Sequence, residues 1–346
     1  MGVTLYVLRR LAISLVLLII ASFLVFAGTR TIFDPSARLA QNKDTQARER
    51  ERARLGLDDP LIVQYGDWIS GVVKGDFGRE DIGSQQVSDK LKTGFSKTFE
   101  LALWGALTAS CFGITFGIVA AIRRNRPIDY AVTSFSYLGI AVPTFAFAYV
   151  LMNMFALWLP ALFRDSSWLQ WVPFLPDTKG PWLFTTGTTQ GSFGRGYDGL
   201  WSLESINDYM RHMLMPVMVL SVQLVASWSR YQRASMVEAL QSDYIRTAHA
   251  KGMSKFRVYT RHALRNSEVP MVTVMALDIG LLFQGLIITE YVFSIPGLGK
   301  VFTDALAVGD ATTIAGWTIV TATFVVLANL IADLLLPVID PRIRTQ

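Results

Sequence analysis

The chain of 346 residues has one cysteine, Cys111, and three histidines, His212, His249 and His262. A single thiol excludes an intramolecular disulfide and any cluster built on several cysteines. The histidines form no His-Glu-x-x-His pair, which excludes the usual helical zinc site. Charge is scarce: 17% of residues are Asp, Glu, Lys or Arg, against about a quarter in soluble domains. No Gly-x-x-x-x-Gly-Lys-[Ser/Thr] phosphate cradle occurs; the nearest stretch, Gly297-Leu-Gly-Lys300, is followed by Val301. Apolar residues, in contrast, make up 51% of the chain and recur in runs near or above 20 residues, with polar segments between them. That pattern is a polytopic membrane protein, and it excludes a soluble enzyme. Basic residues are split among membrane-proximal loops, so nucleic-acid binding finds no support. Cys111 lies within an apolar run and is expected to be a small buried side chain.

Roughly 20 apolar residues in a helix cross a hydrocarbon core about 30 Å thick. Six segments meet that requirement, approximately 9–29, 99–122, 130–159, 210–229, 269–289 and 313–337. The expected fold is therefore an all-α integral membrane protein with six transmembrane helices. Residues 1–29 hold the N-terminus and first span, 30–98 a large extracytoplasmic loop, and 99–346 a five-span core with a cytoplasmic loop at 230–268. Pro143 predicts a kink or tilt in the third span. Gly113 and Gly117 give the second span a small-xxx-small face for close helix approach. The apolar run after Arg9-Arg10 is about seventeen residues, too long for the usual signal peptide, so the first span is expected to be retained.

Lys and Arg in short loops set the orientation. Arg9, Arg10, Arg123, Arg124, Arg126, eight residues of 230–268, Arg342 and Arg344 place fifteen on one side; loops 160–211 and 290–312 carry five. The richer side is expected to be cytoplasmic and to hold both termini. The twelve basic residues of 30–98 carry little weight, because long loops count little in this rule.

In the outer loop, Asp44 is a plausible N-cap and Gly56 a helix stop, with Pro60 beyond and Glu49–Arg52 and Glu51–Arg54 at i,i+3. A solvated scaffold helix and a contact with an external partner both fit. Trp168, Trp171, Trp182 and Trp201 suit a membrane interface. The cytoplasmic segment is the most informative. Ser242-Asp243 offers an N-cap, 244–251 reads as a short helix, Gly252 ends it, and Ser254 starts a second helix toward the fifth span. Val237, Leu240, Tyr244 and Ala248 recur at helical spacing, while Arg246, His249 and Lys251 point elsewhere. Such a helix suits either docking into a partner's cleft or lying on anionic lipid.

Asp243-Tyr-Ile-Arg-Thr-Ala-His-Ala-Lys-Gly252, followed by Arg261-His-Ala-Leu-Arg-Asn266 and Pro270, closely resembles the coupling loop of ABC-importer permeases of the dipeptide/oligopeptide branch. Leu55-Gly-Leu-Asp-Asp-Pro60 with Gln64-Tyr65, Gly75-Asp-Phe-Gly78, Glu290-Tyr-Val-Phe-Ser-Ile-Pro-Gly-Leu-Gly299, Asn329-Leu-Ile-Ala-Asp333 and Asp340-Pro-Arg-Ile-Arg344 also resemble that branch, in the expected order. The general permease motif begins Glu-Ala-Ala; here those positions are Arg246, Thr247 and Ala248, which looks usual for the peptide branch. His249 stands where Arg is common, Asp278 where an uncharged polar residue is more usual, and loop 160–211 is longer than typical.

The resemblance implies a type I ABC-importer permease in the bacterial or archaeal cytoplasmic membrane. It implies a heterodimer with a second homologous permease, two ATPase subunits that hold ATP and Mg, and an external binding protein that delivers peptide. With no phosphate cradle of its own, this chain is not the ATPase and is expected to bind no cofactor. Asp243, Tyr244, Arg246, Thr247, Ala248, Lys251 and Gly252 correspond to the ATPase-coupling residues. Asp278 and Gln284 in span five, and Asn329 and Asp333 in span six, are the polar groups for a translocation path. They equally suit ion coupling in a stand-alone secondary transporter or channel. An intramembrane enzyme is the weakest reading, since no catalytic dyad at helical spacing occurs.

Overall fold

The computed structural model describes residues 3–33, 45–54, 56–81, 85–162, 183 and 203–339. The Asp44 cap, the four loop tryptophans and the 340–344 stretch lie outside the described residues. The helices are α1 (Val3–Ile32), α2 (Thr45–Arg54), α3 (Leu61–Val73), α4 (Val87–Ile122), α5 (Pro127–Ala141), α6 (Thr144–Asn153), α7 (Leu203–Gln241), α8 (Asp243–Ala250), α9 (Arg265–Val292), α10 (Leu298–Val308) and α11 (Ala311–Ile339). Among the described residues the only extended pairing is an isolated bridge between Arg79 and Gln86.

Among the described residues, five stretches are long and apolar enough to cross a membrane: Leu8–Ile32, Val87–Ile122, Thr144–Leu162, Ile206–Gln241 and Ala311–Ile331. The other expected segment, 269–289, lies within the 28 residues of α9. The expected third span is interrupted, not merely kinked. Val142 (φ −82°, ψ 123°) and Pro143 (φ −59°, ψ 138°) are extended between α5 and α6. Proline supplies no backbone N–H and pushes its predecessor out of the helical region, so the helix stops and restarts.

The chain divides into two compact units, residues 1–98 with 296–330 and residues 99–295 with 331–346. One boundary between them falls at 98/99, and 296–330 groups with the N-terminal unit. In that unit, α3 packs on α1. Phe26 stacks on Trp68 at 5.2 Å, Phe23 meets the Tyr65 ring edge-on, and the Ser22 and Tyr65 hydroxyls are 2.7 Å apart. Leu15, Leu17 and Leu24 of α1 remain exposed, a surface suited to lipid. Gly56 (φ 59°) follows α2 as expected of a helix stop, and Arg52 pairs with Asp58 at 2.7 Å.

Two carboxylates meet the start of α11. Asp310 caps it, accepting from the Thr313 N–H (3.1 Å) and hydroxyl (2.6 Å), and Asp81 accepts from the Thr312 N–H (3.2 Å) and hydroxyl (2.7 Å). These bonds fill orphan donors of the first turn. Burial pushes the Asp81 carboxyl above its usual range, opposed by the Thr312 hydroxyl and reinforced by repulsion from Asp310.

The second unit is organised around α7, whose apolar window is 61% buried against 11% for α1. Helices α5, α6 and α9 pack on it. On α4, a Cβ at Gly117 would stand 2.6 Å from Gln232 Cβ and 2.8 Å from the Ser229 carbonyl oxygen, and one at Gly113 would stand 3.1 Å from Trp228 Cβ. The small-residue face therefore does what its spacing predicts: it brings α4 against α7. Cys111, on the same helix, is exposed and not buried as expected. In hydrocarbon an outward apolar side chain gains as much as an inward one, so apolar character alone does not assign a side.

Candidate functional site

The site begins where α7 leaves its packing. Arg233 grips Asp129 at the start of α5 through two bonds, Nε to Oδ1 (2.5 Å) and Nη2 to Oδ2 (2.8 Å). Asp129 also accepts from the Asn125 N–H at 2.9 Å, which closes a turn where Asn125 is left-handed (φ 61°). The Arg233 guanidinium holds the Asp129 carboxyl below its usual range. This pair fixes the α4–α5 turn to α7, about two turns before α7 leads into residues 242–252. Sequence reasoning missed it, although Pro127 followed by an acid in the first helical turn is a legible start signal.

From Gln241 the chain bends at Ser242 and enters α8, eight residues and roughly 12 Å long. Ser242 takes the cap position in an extended conformation, but its hydroxyl donates to the Ala239 carbonyl (2.5 Å), so it does not cap α8. Asp243 is the first helical residue and not the cap expected of it. At the other end, Gly252 is left-handed (φ 76°), its N–H donates to His249 O (2.9 Å), and the Met253 N–H donates to Ala248 O (3.3 Å). That is a Schellman turn, completed by Met253 and Ala248 sharing one apolar cluster.

The underside of α8 is Ile245 and Ala248, buried with Met236, Ala239, Val258 and Ala263. Val237 and Leu240 pack there as their spacing predicts, but Tyr244 is 41% exposed and Ile245 takes its expected place. Outward stand Asp243, Tyr244, Arg246, Thr247, His249, Lys251 and Gly252. Of the seven residues expected to couple, six thus share an exposed surface and Ala248 anchors it. Arg246 reaches Asp243 at 3.4 Å with both side chains mostly exposed, a contact too wet to hold Arg246 back from a partner. Beyond Ser254, Lys255–Arg257 and a π-turn, Val258–Leu264, lead into α9 without a break.

The polar groups of the expected path are described only in part. Asp278 is half-buried on α9 and accepts from the indole N–H of fully buried Trp228 at 2.7 Å. Asn329 is half-buried on α11, and the side chains of Gln284 and Asp333 lie outside the described residues.

Residues 113–345 match the family of binding-protein-dependent transport system inner membrane components, and residues 3–100 match its N-terminal region. The chain belongs to that family. It is 33% identical over 344 residues to the oligopeptide transport system permease protein AppB of Bacillus subtilis (strain 168), covering 98% of this chain and 99% of the relative. It is equally similar, 33% over 349 residues and 99% of each chain, to the di/tripeptide transport system permease protein DppB of Pseudomonas aeruginosa (strain UCBPP-PA14). The glutathione transport system permease protein GsiC of Escherichia coli (strain K12) is 33% identical over 344 residues, 98% of each chain. This permease is accordingly a multi-pass inner-membrane component of a binding-protein-dependent transport system. The family's two matched regions divide between residues 100 and 113, close to the boundary of the compact units at 98/99.

Proposed function

We propose that this permease is one of two non-identical translocation subunits of an ATP-driven peptide importer, with six spans and both termini in the cytoplasm. Two partner ATPases bind ATP and Mg and carry out hydrolysis; this chain is not catalytic, and an external binding protein hands it the peptide. The observation that carries the reading is α8, a helix with a buried underside, a fixed end and an outward face of charged and aromatic groups. Such an element transmits an ATPase movement to α7 and α9, between which it is strung. Peptide cargo is supported by relatives named for oligopeptides, di/tripeptides and glutathione.

Reconstitution tests it. The chain is expected to co-purify with a second permease and ATPases, and to import peptide only in their company. Transport by this chain alone would establish the ion-coupled carrier instead. In the same assay we propose that Asp278 faces the path, positioned by Trp228, because an ionisable group at mid-span costs about 2.5–3.5 kcal/mol on insertion scales. Asp278→Asn keeps the acceptor and removes the charge. It is expected to slow import; an unaltered rate assigns Asp278 to anchoring Trp228 alone. Orientation is checked by replacing Lys255 with cysteine in a Cys111→Ser background. An impermeant thiol reagent is expected to miss it in intact cells and label it after permeabilisation, and labelling from outside reverses the topology.

A further inference from the structure

A groove of about 450 Å³ opens within the N-terminal unit between α1, α3 and α11. Its walls include Leu15 and Ser22 of α1, Ile69 and Val73 of α3, and Ile319 and Thr323 of α11. Two of the three helices fix its depth. In the span Leu8–Ile32, Ser22 stands about 21 Å from one end and about 15 Å from the other. Wherever a hydrocarbon core about 30 Å thick is set on that length, Ser22 lies inside it. In the span Ala311–Ile331, Ile319 and Thr323 stand about 12 and 18 Å from the start. The groove is therefore cut into the membrane-embedded part of the unit. Ser22 and Thr323 are the only polar side chains among the described residues that line it. The Ser22 hydroxyl is already taken up by Ile19 O (3.0 Å) and the Tyr65 hydroxyl (2.7 Å). Water finds too few partners there.

The third wall, α3, shows where the membrane surface runs. Its buried side packs Tyr65 with Phe26 of α1 and Ala315 of α11. Ile62 (71% exposed) and Val73 (84%) form an outward apolar edge. Asp67, Ser70 and Lys74, at intervals of three and four, form an exposed polar stripe. A helix that combines such an edge with such a stripe lies at the boundary of headgroups and acyl chains. Lys74 follows Val73 at the rim of the groove, and among the described residues it is in no ion pair. Asp67 and Asp76 are exposed before and after it, so the rim offers a site for a phosphate and sites for an ammonium. Two turns of helix, about 10 Å across and 11 Å long, fill roughly 850 Å³, so the groove admits a single extended chain and no helix. We infer that it holds one acyl chain of a zwitterionic phospholipid whose phosphate rests on Lys74. Charge complementarity at the rim selects this occupant, and the dry walls below it accept the tail. Bound there, the lipid completes the packing of α3 on two spans and ties the segment 56–81 to the leaflet on the side of Ile32. The inference rests on membership of an inner-membrane family and not on cargo or coupling.

The test loads membranes with a phosphatidylethanolamine that carries a diazirine on one acyl chain. The full chain is then extracted into mild detergent, alone and with the subunits that co-purify. Retained lipid is counted by native mass spectrometry, and photo-cross-links are mapped to peptides. A single lipid per chain is expected to survive extraction, linked to the groove at Val72 or Val320. Val72→Trp fills the groove and is expected to abolish retention. Lys74→Gln, at an exposed position, is expected to lower retention severalfold, so the outcome does not depend on the folding of the groove variant. No retained lipid, cross-links spread evenly along α1, or unaltered retention in either variant overturns the proposal. Loss of the lipid on assembly with the other subunits overturns it as well and assigns the groove to a second permease.

Discussion

Gly252→Val is expected to uncouple ATP hydrolysis from transport almost completely while leaving the protein in the membrane. Gly252 holds φ at 76°, and a β-branched side chain resists that region by sterics at its own backbone, whatever space lies around it. No atom stands within 4 Å of a Cβ built there, so the effect isolates backbone conformation from crowding. With the Schellman turn broken, the Met253 N–H loses Ala248 O, and the chain leaves α8 in another direction toward α9. The measurement is peptide-stimulated hydrolysis in liposomes, together with capture of the ATPases by the variant. Loss of stimulated hydrolysis at normal membrane levels is the expected outcome. Normal stimulation and capture would remove the lever and favour a lipid-surface helix. Gly252→Ala, which meets a smaller penalty, is expected to fall between the two.

Asp129→Asn, at a buried carboxylate, is expected to lower stability by about 2–3 kcal/mol. The variant keeps the shape but leaves the half-buried Arg233 guanidinium, 30% exposed, without its counter-charge. A lowered thermal midpoint in detergent reads it directly. Arg233→Gln on top of Asp129→Asn is expected to add little, since the two act as one unit. The pH dependence has a definite sign. Asp129 titrates below the ordinary 3.8 in the folded protein, so the pair's contribution is complete above that value and fades as pH falls through the depressed one. Wild type and variant are therefore expected to converge only in acid. An unaltered midpoint at neutral pH would show the pair to be dispensable.

Hydropathy made the spanning helices legible because lipid enforces long uninterrupted apolar runs, and Gly252 was legible because few residues accept its backbone. Other features depended on information that no local pattern carries. Asp129 and Arg233 stand 104 residues apart and meet only through the packing of α5 on α7. A helix of two turns offers too few residues to fix its phase, which is why Tyr244 was expected where Ile245 lies. Cys111 was misplaced because lipid removes the contrast between inside and outside on which burial arguments rest. Asp278 and Asn329, the candidate path residues, were legible as polar groups in apolar runs, but not Trp228 as the donor to Asp278, since a tryptophan in a span reads simply as apolar.

Six of the eight residues of α8 are exposed, and folding fixes only Ile245, Ala248 and the glycine that follows. Recognition and architecture are thereby written in separate letters. On the coupling role proposed for α8, the outward letters are open to exchange as a cassette, and grafting another permease's set onto the same two anchors is expected to redirect this chain to a foreign motor without disturbing its membrane fold. A cell that runs several related importers at once can keep their engines from being swapped with changes no larger than that.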